Sequence, residues 1–251
     1  MLEEKKAGEK PGVFYGTAKS NLSSVFTFSL EENNVCVWLN GAPEAERPIW
    51  VKLWNTAQRR YCTDGGANRI MARNQELSFP DVVVGDMDSI LTTVTENLRH
   101  RSLLIHTPDQ DKTDLTKCLE YIAEDFNRDA SHVVLLGGTS GRFDHTLAAI
   151  NSLYCSSKIM TKDVYCLDGE NLTFVLDEGE YVVAVDRQFV TGTCGVVPFS
   201  QKQTIVTMEE GAKMSFGGLI STSNIMEKDV VRVKTSAPLI FTMELLPSSL
   251  L

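Results

Sequence analysis

The pattern that most constrains this chain is a rhythm in its first 160 residues: short apolar runs alternate with stretches of helical spacing. The runs at 34–39 and 132–136, and the shorter ones at 82–84 and 102–106, fit buried strands. Trp50, Leu53, Trp54 and Ala57 recur at helical spacing, with Pro48 placed where a first turn tolerates it. A short strand runs into Asp64 and a helix follows Gly66; residues 91–101 suit another. Over 113–127, Leu115, Leu119, Ile122 and Phe126 line one helical face, Thr113 can cap it, and Asp114 sits at the positive end of the dipole. Residues 143–154 predict a further helix.

After about residue 160 the helices stop. Segments 164–167, 171–176, 181–185, 204–208, 214–220, 230–234 and 239–245 are short and rich in Val, Ile, Thr or Phe, with Gly-containing turns between them. The expected fold class is therefore α/β: an N-terminal parallel-sheet domain, Rossmann-like, followed by an antiparallel β-sandwich domain. The border falls between 160 and 180. We set it at 165/166, giving 21–165 and 166–251, with the polar segment 1–20 expected to be mobile.

Composition narrows the function. There are 24 basic and 33 acidic residues, a net charge of −9, which disfavours nucleic acid and anionic lipid as partners. No stretch approaches the roughly twenty apolar residues of a membrane helix, and the first residues lack a signal-peptide core. Six cysteines form no CxxC pair and, with four histidines, no zinc spacing; a reducing compartment, the cytoplasm, is expected.

Four acidic clusters crowd into 63–145: TDGGANR (63–69), GDMDS (85–89), TPDQDKTD (107–114) and GGTSGRFDH (137–145). A parallel sheet gathers the carboxyl ends of its strands at one edge, where ligands bind. Carboxylates meeting there raise one another's pKa unless a cation compensates them, and hard oxygen ligands suit Mg2+. The clusters thus point to Mg2+-dependent handling of a phosphate ester. Asp86 and Asp88, two apart after a strand, would point the same way if strand geometry continued; the competing reading is a solvated turn. Asp109, Asp111 and Asp114 surround a helix start, where backbone N–H groups can hold phosphate oxygens, although Asp114 also suits a purely local role. GGTSGR is similar to a phosphate-cradling loop without the Walker ending; Arg142 could neutralise phosphate and Asp144 reach the pocket. Asp64 ends a strand, and the competing reading of its motif is an Asx-capped turn. Ser221, Thr222, Ser223 and Asn224 end an apolar strand and could bind polar substrate atoms.

Taken in order, DGGANR, GDMDS, DQDKTD, GGTSGRFDH and GGLISTSN resemble the five motifs of the thiamine pyrophosphokinase family, spanning residues 64–224. TGTCGVVP (191–198) is similar to that family's loop between domains. The resemblance implies a homodimer with the site at its interface. Its reaction would transfer a pyrophosphoryl group from ATP to the hydroxyl of thiamine, releasing AMP, by in-line attack at the β-phosphorus. It implies Mg2+ on Asp86, Asp88 and Asp111, with Asp114, Arg142 and Asp144 in the transfer site. Asp64, Gly65, Asn68, Asp109, Gln110, Thr113 and Gly138 would lie along the nucleotide, and Ser221, Thr222, Ser223 and Asn224 would face thiamine. The family's late aromatic residue is replaced by GAKM (211–214), leaving Met214 or Phe216 for that contact. A pyrophosphokinase for another hydroxymethyl heterocycle, such as a pterin, and a catalytically silent thiamine or nucleotide sensor are the alternatives.

Overall fold

The computed structural model describes residues 34–126, 132–199, 203–208 and 211–250, together with the backbone of 24–27. The segment 1–20, expected to be mobile, lies outside them. Six parallel strands form the first half: β2 (Val35–Trp38), β3 (Arg59–Thr63), β4 (Val82–Gly85), β5 (Leu103–His106), β6 (His132–Leu136) and β7 (Asp163–Asp168). They lie in the order β7-β6-β2-β3-β4-β5, so successive strands run outward from β2 to one side and from β6 to the other. The crevice between the ends of β2 and β6 is the switch point of a doubly wound sheet.

Helices cover both faces because each strand's side chains alternate. Cys36 and Trp38 face α1 (Pro48–Thr56), α2 (Asp64–Ala72) and α3 (Thr92–Leu98), where Trp50, Leu53, Trp54, Ile70 and Leu98 are buried. Val35, Val37 and Leu39 face the opposite way, onto Leu119 and Ile122 of α4 (Asp114–Asp125) and Leu153 of α5 (Phe143–Ile159). Trp38 meets the rings of Trp50 and Trp54 edge-on, each at 5.6 Å.

The parallel sheet does not end at β7. A hairpin pairs β7 with β8 (Asn171–Leu176), and β15 (Leu239–Leu245), β10 (Val190–Pro198) and β13 (Ser221–Ile225) follow antiparallel, making one ten-stranded sheet. A second sheet packs on its antiparallel half, in the order β1-β9-β14-β11-β12: β1 (Ser24–Thr27), β9 (Gly179–Ala184), β14 (Val230–Thr235), β11 (Thr204–Thr207) and β12 (Gly211–Met214). Phe174 and Phe241 stack at 5.4 Å in the core between the two sheets. The architecture is the expected α/β layer followed by a β-sandwich.

Two segments differ from the sequence reading. TGTCGVVP, likened to a loop between domains, lies in strand β10 between β13 and β15. Its glycines suggested a turn; Gly192, at φ +96°, sits instead where the register with β15 shifts between Val190 and Cys194. The strand expected over 214–220 stops at Met214. The chain then turns through Gly217, at φ +86°, with Gly218 N–H donating to the Ser215 carbonyl.

Candidate functional site

Two strand ends and a helix start build an acidic rim. Asp64 follows β3 as the first residue of α2, Asp86 follows β4, and Asp114 opens α4. Their carboxylate oxygens lie within 4.8 Å of one another, the one such group of three acidic, His or Cys side chains among the described residues. Asp64 is buried; its Oδ1 accepts from Gly65 N–H at 2.6 Å and its Oδ2 from Ser89 N–H at 3.1 Å. Burial pushes its carboxyl up, the negative charges of Asp114 and Asp86 add to that, and the two N–H donors oppose it. Asp86 is held below the usual carboxylate range, first by the Asp88 N–H (3.2 Å), then by the Lys117 ammonium and the Gln110 amide, whose Nε2 donates at 3.2 Å.

The structure groups Asp86 with Asp64 and Asp114; Asp88, exposed, stays in hydrogen-bonding contact with Asp86, and Asp111 is exposed on the turn whose Gln110 reaches Asp86. Strand geometry does not continue past Gly85: Met87 takes φ +65°, and Asp88 folds back to donate its N–H to Asp86. Asp111 likewise turns, donating its N–H to Asp109 Oδ1 at 2.8 Å.

Glycine lets these pieces approach. A Cβ on Gly85 would lie 2.9 Å from Asp64 Cγ, and one on Gly65 would lie 2.6 Å from Asn40 Nδ2. Asn68 acts as a clamp: its Oδ1 accepts from Leu91 N–H at 2.9 Å and its Nδ2 donates to Ser89 O at 2.8 Å, fixing the loop after Asp86. Thr113 caps α4 by accepting from Thr116 N–H, and its hydroxyl shares a triangle with Thr116 and the fully buried Ser152 of α5.

At the switch point the loops after β2 and β6 touch: a Cβ on Gly41 would lie 3.5 Å from Gly137 Cα. Gly138, at φ +118°, packs against Leu39. The following loop turns its donors inward. Thr139 N–H (2.6 Å) and Oγ1 (3.1 Å) and Ser140 Oγ (3.0 Å) all donate to the buried carboxylate of Asp168 at the end of β7. These donors are therefore engaged with protein and not presented to a phosphate. Arg142 and Asp144 are exposed and form a two-point ion pair with each other, at 3.1 and 2.5 Å.

Two participants escaped sequence reasoning. Asp168 precedes Gly169 in a pair that suits a turn; its place at the end of the buried strand β7 was the available signal. Lys117 lies three residues beyond Asp114 on a helix whose neighbours Cys118 and Leu119 are core, and its burial was the hidden fact.

The STSN segment forms β13, at the edge of the ten-stranded sheet. Opposite Gly195 it bulges: Cys194 pairs with Asn224 and Val196 with Ser221, so Thr222 and Ser223 face one residue, and Ser223 takes φ +58°. Ser221 Oγ donates to Asn224 Oδ1 at 2.7 Å, while Thr222 and Ser223 are exposed. β13 and β3 are seven strand positions apart, about 34 Å at ~4.8 Å per strand. A single chain does not bring this segment to the acidic rim. Met214 is buried in the core, whereas Phe216 is 66% exposed and tilts against Phe199 at 5.2 Å.

Comparison with known proteins follows this division. Residues 50–164 match the family model "Thiamin pyrophosphokinase, catalytic domain", and residues 180–240 match "Thiamin pyrophosphokinase, vitamin B1 binding domain". Thiamin pyrophosphokinase 1 of Caenorhabditis elegans is 37% identical over 222 residues, covering 84% of this chain and 89% of that protein. Thiamine pyrophosphokinase 1 of Oryza sativa subsp. japonica is 33% identical over 217 residues, covering 77% and 81%. In fold, the chain is similar to the solved thiamin pyrophosphokinase of Candida albicans, with a TM-score of 0.74 at 22% identity over 89% of this chain and 96% of that one.

Proposed function

Because this chain belongs to the thiamin pyrophosphokinase family, whose members form thiamine diphosphate from thiamine, we propose that its acidic rim takes ATP with a divalent cation as the pyrophosphoryl donor. The observation that carries this reading is the meeting of Asp64, Asp86 and Asp114 within 4.8 Å. Three carboxylates with one buried member need a cation, and an all-oxygen donor set fits Mg2+. When bound, the ion would neutralise phosphate charge as the transfer proceeds. Asp88 and Asp111, exposed on the adjoining turns, complete the rim.

The chain's own groups do the positioning. Gln110, held on Asp86, and the N-terminus of α4 line the side where the triphosphate would lie. The thiamine hydroxyl oxygen forms a bond to the β-phosphorus as the bond from that phosphorus to the AMP oxygen breaks in line; the hydroxyl proton leaves late to a rim carboxylate. Arg142 is exposed and can leave Asp144 to meet developing phosphate charge.

Thiamine would be held by the β13 segment of a second protomer. The strand spacing separating β13 from the rim within one chain supports a homodimer whose site is shared. So do exposed Leu219, Ile220 and Ile225, the last 79% exposed, on and beside this edge strand.

The test is AMP release from ATP, measured by a coupled assay with thiamine as acceptor, with and without Mg2+. AMP formed only with both supports the reading. Release with hydroxymethylpterin but not thiamine, or no release with nucleotide still bound, would replace it with one of the alternatives.

A further inference from the structure

Lys117 is a cation in an unusual place. Its side chain is 4% exposed, buried not on the Leu115/Leu119/Ile122 core face of α4 but on the opposite flank, beneath the turn formed by His106, Thr107 and Asp109. Its Nζ lies 2.7 Å from Asp114 Oδ1, off the hydrogen-bonding direction, and donates to the carbonyls of Thr107 and Asp109 at 3.2 Å each. Its ammonium therefore faces the acidic group on one side and the turn carrying Gln110 and Asp111 on the other. It also lowers the carboxyl of Asp86 across the site. An ordinary i, i+3 pair on a helix surface is solvated and contributes little. Here the ammonium is out of water and Asp114 is only partly exposed, at 29%: a buried ammonium requires an anion, and crowded carboxylates favour a cation.

We propose that Lys117 is a positioning residue that serves as the internal counter-ion of Asp64, Asp86 and Asp114, holding the rim together when no divalent cation is present and opposing that cation's entry. The inference rests on the cation-binding reading above. Its physical content is competition. A unit positive charge fixed beside one ligand offsets part of the rim's negative charge, so it keeps the empty site assembled and weakens attraction for an incoming ion. The carbonyls it holds keep the 107–111 turn beside Asp86 in either state.

The experiment is Mn2+ titration of the nucleotide-free protein, followed by the electron paramagnetic resonance signal of free Mn2+, for wild type, Lys117→Gln and Lys117→Arg. Gln retains a donor for the carbonyls but no charge. The expected result is a dissociation constant about ten-fold lower in Lys117→Gln (about 1.4 kcal/mol), with wild-type affinity in Lys117→Arg. Thermal unfolding should show the same order: a lower Tm without cation in Lys117→Gln and a larger rise on adding Mg2+. Unchanged or weaker Mn2+ binding in Lys117→Gln overturns the inference while leaving the metal reading intact. Absence of Mn2+ binding by the wild type overturns both. If Lys117→Gln does not fold without cation, refolding yield is read against Mg2+ concentration: a yield restored by Mg2+ supports the counter-ion role, and one indifferent to Mg2+ overturns it.

Discussion

Replacing Asp168 by Ala should loosen the loop at the switch point and cost measurable stability. Its carboxylate is 3% exposed and accepts three hydrogen bonds, from Thr139 N–H, Thr139 Oγ1 and Ser140 Oγ. Hydrogen bonds to a charged acceptor contribute roughly 1.5–3 kcal/mol each, and a stranded buried donor costs about 1–3 kcal/mol. The three are not additive. The two hydroxyls are half-buried and can rotate to water, leaving the 2.6 Å N–H as the stranded donor. The expected loss is therefore about 2–4 kcal/mol, read from urea unfolding at neutral pH. The freed loop carries Arg142, so KM for ATP should rise more than kcat falls. A loss below about 0.5 kcal/mol with unchanged KM would refute the view that this carboxylate shapes the loop.

Asp86→Asn and Asp64→Asn should each lower turnover by at least about 100-fold, on the order of 3 kcal/mol in the barrier, with circular dichroism unchanged; near-normal AMP release in both would remove them from the site. Asp163, raised by burial from 3.8 to about 6, holds its proton more tightly folded than unfolded. It stabilises the fold fully below the ordinary carboxylate range, and that contribution is lost as pH rises through about 6. At ~1.36 kcal/mol per pH unit the penalty at pH 7 is at most about 3 kcal/mol, and less in practice because the side chain is 30% exposed. Asp163→Asn should thus be stabilised by about 1–2 kcal/mol at pH 7 and not at pH 4; an equal gain at both would contradict the assignment. Ile225→Glu, at an exposed position on the edge strand β13, should halve the molar mass measured by light scattering and abolish thiamine-dependent AMP release while leaving Mn2+ binding intact.

Much of the fold was legible because its signals are local. The Val82–Val84 run, the Leu115/Leu119/Ile122 face and the Thr113 cap each act within a turn or a strand, and each stands where the sequence reading put it. β10 was hidden because Gly192 and Gly195 look like a turn on paper, while the pairing that makes them a strand comes from residues 221–225 and 239–245. At the rim, the acidic motifs were visible but their grouping was not. Alternation along a strand pairs Asp86 with Asp88 as neighbours on one face, whereas at the left-handed Met87 the chain folds so that Asp88 donates its N–H to Asp86, and the two further carboxylates, Asp64 and Asp114, come from the starts of two helices. Burial of Lys117 and the reach of Asp168 depend on contacts across 10 and 29 residues, which no local pattern encodes.

The unbroken ten-stranded sheet has a mechanical consequence. Because β7 and β8 pair directly through Asp168 and Asn171, this junction is a paired hairpin and not a hinge about which the two halves could swing shut over a substrate. Exclusion of solvent during transfer would then fall to short turns such as 86–90 and 107–113. The same continuity ties the halves into one cooperative unit, so cutting the chain at that hairpin would expose the flanks of two interior strands and leave neither fragment with a closed core.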